Sequence, residues 1–470
     1  GRTLLLSGAV TFASAVLAVP IAWLTTCTDL RGRRFWTIAA TLPLVLPSYV
    51  VAYLFISVMG PRGLLQQAVA PLGLTWWPNI YGFGGVVVVL TLLSYPYILL
   101  ATRAMFVRMD PALVEASRSL GVSPWHTFRR ITLPSLRPGI AAGGLLVALY
   151  VLRDFGAVAM LRYDTLTRII FLQYQSFSHR SLSAVLGLLL VVVTLVILSA
   201  ERRTRGRARY DRRSVGVARR MRPVRLGRWQ WVAQLYLAGV VTAALLLPAG
   251  GLVYWLVRGL LRDDVAFAIR QPAWGSFVAS ALAATATVVA AIPVVVWSVR
   301  RGGRVGQWLE QLTWLVNALP GLVVALSLAF FTVRWLPALY NTLLLLVLAY
   351  VVLFLPQVTG SVRAALLQLS PTIEEAGRSL GEGPVGVLRR LTLPLVGPGV
   401  LAGGALAFLT AMKELPATLI LSPLGHRALS ISVWGNISEA FFAQAAIPAL
   451  LLIAISSIPL AILTLREQQI

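Results

Sequence analysis

Few side chains in this chain of 470 residues have the type and spacing to do chemistry. Cys27 is the only cysteine, which excludes an internal disulfide and a cysteine-based metal cluster. His126, His179 and His426 are scattered, whereas metal ligands come in closely spaced sets, so no metal site is expected. Lys413 is the only lysine and stands in Ala-Met-Lys-Glu-Leu-Pro, without the glycine-rich turn of a P-loop, so the chain holds no Walker A site. No nucleophile and base pair recurs in the loops, and no catalytic residue is expected. What remains is two pairs of adjacent opposite charges in apolar surroundings, Arg153 with Asp154 and Lys413 with Glu414. A charge at the centre of a membrane helix costs about 3 kcal/mol, so these four are expected to be paired or to line water. Neighbouring helical residues point about 100° apart, so Arg153 is poorly placed to satisfy Asp154. Pairing of Arg153 with Glu414 and of Lys413 with Asp154 is expected instead, lining a path through the bundle or gating it. The alternative is that all four lie near the outer surface and are solvated.

The elements that must position these charges are membrane helices. Hydrophobic residues make up 58% of the chain and charged residues 12%, against about 25% charged in a soluble domain. Windows of about 19 residues or more without sustained charge fall near 4–27, 35–59, 81–106, 137–160 and 181–200, then near 230–257, 275–299, 308–331, 338–361, 396–421 and 443–465. That makes eleven candidate spans. The net charge of +25 comes from arginine in alternate loops: Arg31, Arg33 and Arg34, Arg300, Arg301 and Arg304, and the stretch 201–228. By the positive-inside rule these loops are cytoplasmic, and loops bearing Trp76, Trp77, Asp263, Asp264 and Trp274 face the other side. The 201–228 stretch resembles a nucleic-acid-binding arm, yet between two spans it reads as a linker contacting lipid headgroups, and no nucleic-acid partner is expected.

An internal duplication organises the spans. EASRSLGVSPWHTFRRITLPSLRPGIAAGG from Glu115 returns as EAGRSLGEGPVGVLRRLTLPLVGPGVLAGG from Glu375, an ungapped offset of 260 residues. The same offset relates Pro96 to Pro356, Arg103 to Arg363, Pro111 to Pro371 and Gly143-Gly144 to Gly403-Gly404. Both copies lie on the arginine-rich side, so the halves are parallel repeats about an axis along the membrane normal. The expected division is a first half at 1–200, a basic linker at 201–228 and a second half at 229–470. The chain starts at Gly1, the first half has one span fewer than the second, and an intact form with twelve spans is expected.

The duplicated loop reads as two short helices. Asp110-Pro111 and Ser370-Pro371 place a capping oxygen before a proline at the first helical position. Gly121 and Gly381 supply the left-handed residue that ends that helix. Ser123-Pro124 and Gly383-Pro384 start a second helix, expected to stop at the Leu-Pro of 133–134 and 393–394. On the first helix Leu113, Ala116, Ser117 and Leu120 share a face, as do Ile373, Ala376, Gly377 and Leu380, which suits the groove of a soluble partner. Glu115 with Arg118 and Glu375 with Arg378 are spaced i to i+3, as local ion pairs or as partner contacts. Two copies imply two partner subunits or a symmetric dimer.

These residues resemble the EAA loop of ABC importer permeases: Glu115-Ala116-Ser117, Gly121 and Ile131-Thr132-Leu133-Pro134, then Glu375-Ala376-Gly377, Gly381 and Leu391-Thr392-Leu393-Pro394. The departures are Ser or Gly at the third position and Leu391 in place of Ile. The resemblance covers essentially the whole chain and is to a fused permease, an all-α integral membrane protein with two halves of the MetI-like type I importer fold. Within that class RDFGAVAMLRYDT from Arg153 and MKELPATLILSP from Met412 resemble the ferric iron uptake permeases, and the thiamine permease shares the fused layout. The resemblance implies a multi-pass subunit of the bacterial inner membrane. It implies that 111–120 and 371–380 are coupling helices, each seated in one copy of a cytoplasmic ATPase that binds ATP and Mg. A periplasmic binding protein would deliver the cargo, and this chain would bind no cofactor itself. For a ferric cargo, hard oxygens suit the ion; Asp154, Glu414, Tyr163 and Glu439 are the candidates, with no tight site expected. The rivals are thiamine, a polyamine or an anion as cargo, and a secondary transporter as mechanism.

Overall fold

The computed structural model describes residues 1–61, 63–72, 78–109, 111–176, 180–205, 223–262 and 269–467. Trp76, Trp77, Asp110, His179, Asp263, Asp264 and residues 206–222 of the linker lie outside the described residues, as do the side chains of Leu113 and Arg118. The described chain is helical, and nine of its helices are long and apolar enough to cross a membrane, with Gly321–Trp335 and Phe442–Ser457 as shorter apolar helices. Two compact units form, Gly1–Tyr254 and Trp255–Ile470.

The three central helices of each unit are brought together by the duplicated glycines. In the first unit Arg2–Cys27 packs on Phe83–Arg108 and Leu133–Arg153. A Cβ on Gly143 would lie 2.5 Å from the Ile98 Cα, so this helix pair has backbones in contact. Ser14 and Ser94 hydroxyls meet at 3.2 Å where Arg2–Cys27 packs on Phe83–Arg108. In the second unit Arg270–Val296 packs on Leu343–Gln368 and Leu393–Lys413. There a Cβ on Gly403 would stand 3.2 Å from the Val358 Cα. In lipid the helices have no hydrophobic drive toward each other, so close approach over small residues supplies the dispersion that holds them.

Four expected spans are broken. The window 35–59 divides into Arg33–Thr41, a short turn at Leu42–Val45, and Ser48–Met59 after Pro47. The window 308–331 divides into Gly303–Ala318 and Gly321–Trp335 around Pro320. The windows 137–160 and 396–421 end their long helices at Arg153 and Lys413, then resume as Gly156–Met160 and Pro416–Leu421. Hydropathy averages over such breaks because the broken segments stay apolar.

The prolines of the repeated loop do not stop its second helix. Pro124–Thr127 passes through a π-helical turn at Phe128–Thr132 into Leu133–Arg153, and Pro384–Val387 passes through Leu388–Thr392 into Leu393–Lys413. Proline lacks an N–H and crowds the carbonyl four residues back. A wider π turn just before Pro134 and Pro394 re-registers the ladder so that each helix continues.

The first unit reaches past the basic linker. Val224 and Thr28 form an isolated parallel bridge, with the Val224 N–H donating to the Cys27 carbonyl at 2.8 Å and the Asp29 N–H to the Val224 carbonyl at 3.1 Å. Gln230–Val241 then packs on Arg33–Thr41, and the Tyr236 hydroxyl donates to the Leu17 carbonyl at 3.1 Å. Charge and hydropathy mark 229 as the start of a new span, whereas its packing in this unit is with helices of the first half.

Candidate functional site

The two copies of the repeated loop fold alike. Pro111–Ser119 and Pro371–Ser379 are the first short helices, and the Ser370 side chain accepts from the Thr372 N–H as an N-cap. Gly121 and Gly381 take the left-handed conformation at φ +74° and +90°. The next N–H of each loop reaches back to close the helix end: Val122 donates to the Ser117 carbonyl at 3.2 Å and Glu382 to the Gly377 carbonyl at 3.1 Å. Pro134 and Pro394 stand behind the loops, at the first turn of the long helix that follows each π turn.

The face that sequence periodicity joins is split by the fold. Ala116, Leu120, Ala376 and Leu380 are exposed, with Leu120 at 82% and Leu380 at 87%. Ser117 and Gly377 are buried and hold the two short helices of each loop together. In the first copy the Ser117 and Thr127 hydroxyls bond at 2.9 Å. In the second, the Leu391 Cδ1 occupies the space that a Cβ on residue 377 would take. The two departures from the EAA pattern, Gly377 and Leu391, are therefore one compensated pair.

Glu115 and Glu375 are exposed. The carboxylate with structural partners is Glu374, which sequence reading passed over. It is 5% exposed and accepts from Arg300 Nε at 3.0 Å and from the Thr392 hydroxyl at 3.1 Å. Arg378 pairs with Glu374 at 3.9 Å, at spacing i to i+4.

The adjacent charges stand at the helix breaks, where backbone donors are free. Asp154 is 7% exposed, and its Oδ2 accepts from the Ala157 N–H at 3.0 Å and the Val158 N–H at 3.4 Å. The Ser48 hydroxyl also donates to Asp154. Ser48 opens Ser48–Met59 just after Pro47, so the carboxylate sits between two helix N-termini. Glu414 repeats the arrangement: its Oε1 accepts from the Ala417 N–H at 3.4 Å and lies 2.5 Å from where a Cβ on Gly321 would stand. Gly321 opens Gly321–Trp335 just after Pro320. Arg153 and Lys413 close the last turns of their helices, where a cation faces the negative end of the helix dipole.

A second register of the duplication predicts this site. Leu46-Pro47-Ser48-Tyr49-Val50-Val51-Ala52 matches Leu319-Pro320-Gly321-Leu322-Val323-Val324-Ala325 at an offset of 273 residues, which also joins Pro20 to Pro293 and Arg31 to Arg304. A search at offset 260 alone misses it, because the segment between the broken helix and the next span is longer in the first half.

The expected cargo oxygens are otherwise engaged or dispersed. Within the first unit the Tyr163 hydroxyl donates to the Arg2 carbonyl at 3.4 Å, and its ring packs on Phe83. Glu439 is exposed at the C-terminal end of Leu429–Ser438. Among the described residues no three His, Cys, Asp or Glu side chains gather as a metal site. The second unit holds a cavity of 390 Å³ whose mostly apolar wall, with Val294, Val295 and Pro356, also carries Glu310, Gln357 and Arg363. Arg363 pairs with Glu310 there at 2.8 Å, and Gln357 accepts from Thr410 at 2.8 Å.

Two repeats of a membrane module, each with a glycine-capped loop between long apolar helices, define a permease of the ABC importer class. The chain belongs to the family of binding-protein-dependent transport system inner membrane components, whose model matches residues 11–209 and again 288–470. It is 36% identical over 466 residues to the Fe(3+)-transport system permease protein FbpB 2 of Haemophilus influenzae, covering 98% of this chain and 88% of the relative. It is 26% identical to the probable ABC transporter permease protein y4fN of Sinorhizobium fredii, covering 93% of this chain and 81% of that protein. A 146-residue segment is 34% identical to the molybdenum transport system permease protein ModB of Haemophilus influenzae, covering 31% of this chain and 62% of that protein. The chain is thus a multi-pass permease subunit of an ABC importer with both membrane halves fused in one polypeptide.

Proposed function

We propose that this subunit carries ferric iron across the bacterial inner membrane, driven by two copies of a cytoplasmic ATPase seated on the loops 111–121 and 371–381. The observation that carries the docking reading is a pair of exposed leucines, Leu120 and Leu380, each just past the C-terminal end of a short helix braced from behind by Ser117 with Thr127 or by Gly377 with Leu391. An apolar knob on a rigid helix suits insertion into a groove and transmits the motion of that groove. ATP and Mg belong to the partner, since the one lysine stands outside any P-loop. A periplasmic binding protein supplies the cargo from the other side.

The ferric reading rests on the Fe(3+)-transport relative that matches nearly the full length of the chain. The carboxylates at the helix breaks leave few free oxygens for a tight ligand set, which suits a path that must release its ion. Arg153, Asp154, Lys413 and Glu414 then shape and gate the path. In proteoliposomes containing the chain and its ATPase, ferric-loaded binding protein is expected to stimulate ATP hydrolysis and thiamine-loaded binding protein is not. Stimulation by thiamine alone would overturn the cargo and keep the machine. Leu120→Asp with Leu380→Asp is expected to release the ATPase during copurification, and retention of the ATPase by that variant would refute the docking surface.

A further inference from the structure

Arg300 and Glu374 join four segments of the second half at one buried point. Arg300 lies in the π turn Trp297–Arg301 after Arg270–Val296, and its side chain is 15% exposed against 7% for Glu374. Beyond its bond to Glu374, the guanidinium donates to the Leu369 carbonyl at 3.1 Å and the Leu366 carbonyl at 3.4 Å, at the C-terminal end of Leu343–Gln368. Glu374 lies on the short helix Pro371–Ser379, and Thr392, on the π turn leading into the next long helix, donates to it. One ion pair therefore ties the loop to the ends of three long helices.

The first half has replaced both partners together. At offset 273 the counterpart of Arg300 is Cys27, and at offset 260 the counterpart of Glu374 is Val114. The buried thiol of Cys27 offers no cation, and its carbonyl instead takes the Val224 N–H of the linker at 2.8 Å. Thr132 is kept where the second half has Thr392, while Val114 stands where the second half has the carboxylate of Glu374. The halves thus share a loop, but only the second carries the arginine and carboxylate of the clasp, while the first has Cys27 and Val114 at those positions.

We infer that Arg300 and Glu374 are positioning residues that transmit motion of the second coupling loop to the membrane helices, making the two halves unequal in coupling. This rests on the reading of 371–381 as an ATPase-docking loop. Three arginine hydrogen bonds and the threonine bond fix the loop in three directions, so a push on Leu380 moves the helix ends with it. Without the clasp the loop can still seat in its partner while the helices lag behind.

The test gives the second half the residues of the first. The full chain, its ATPase and the binding protein are reconstituted as wild type, Glu374→Gln, and the double variant Arg300→Cys with Glu374→Val. Removing one partner strands a buried charge, whereas removing both takes the two charges away together and costs less than stranding one. The double variant is expected to regain the thermal stability that Glu374→Gln loses and to keep the ATPase through purification. Ferric ion imported per ATP hydrolysed is expected to fall about three- to tenfold in both variants. A wild-type transport ratio in the double variant would overturn the clasp as a transmitting element and leave it a packing detail. Loss of the ATPase from the wild-type chain would overturn the docking reading beneath it.

Discussion

Replacing Asp154 separates a cargo ligand from a helix-break cap. Asp154→Ala removes the acceptor for the Ala157 and Val158 N–H groups in a site only 7% exposed. An orphaned buried donor costs about 1–3 kcal/mol. The 3.0 Å bond to Ala157 is well formed and the 3.4 Å bond to Val158 is long, so a loss of about 2–4 kcal/mol is expected, with the Ser48 hydroxyl free to rotate. Asp154→Asn keeps a side-chain oxygen for the same N–H groups and gives up the charge assistance, for a loss of about 1 kcal/mol. The assay is thermal unfolding of the purified chain in detergent, with ferric uptake measured on the same preparations. The cap predicts that Asn stays close to wild type in both measurements while Ala is clearly less stable. A cargo ligand predicts that Asn abolishes uptake at unchanged stability, and that result, or an Ala variant as stable as wild type, would refute the capping role.

Other consequences follow from the same contacts. Gly377→Ala gains about 1 kcal/mol of helix propensity but meets the Leu391 Cδ1; alone it is expected to be neutral or destabilising, and with Leu391→Ile it becomes stabilising, which a double-mutant cycle of unfolding free energies detects. Gly143→Ala places a methyl 2.5 Å from the Ile98 Cα and 3.0 Å from the Tyr97 carbonyl, where backbone cannot yield, so a loss of about 2 kcal/mol or more is expected from overpacking, read as a lowered Tm. His426 lies in the short connection before Leu429–Ser438, its Nε2 buried without a hydrogen-bond partner, and burial holds its pKa below the ordinary value. The folded chain then disfavours the imidazolium, so stability is level above about pH 6.5 and falls as the pH drops below it, because the unfolded chain takes up the proton first. A melting temperature with that profile, flattened in His426→Gln, is the expected result, and an unchanged acid limb in the variant would assign the loss to another group.

The sequence by itself determined the elements whose causes are local. The spans follow from apolar length, and the loop follows from a capping Ser370, the prolines 111 and 371, and glycines at φ +74° and +90°. The duplication at offset 260 located both copies and matched Gly143 to Gly403, the positions where a missing Cβ lets the helices meet in the folded chain. Only the tertiary structure decided which of two neighbouring glutamates is buried. Glu374 and Glu375 differ by one step of about 100° around a helix, and the helix must first dock on Leu388–Thr392 before one side becomes the inside. The same holds for the charges in the membrane. Their types and spacing pointed to partners on other side chains, and the folded chain adds to the carboxylates backbone N–H groups freed where the helices break at Asp154 and Glu414. Backbone donors carry no letter of their own, so a sequence displays every charge that needs a partner but not the peptide groups that stabilise it.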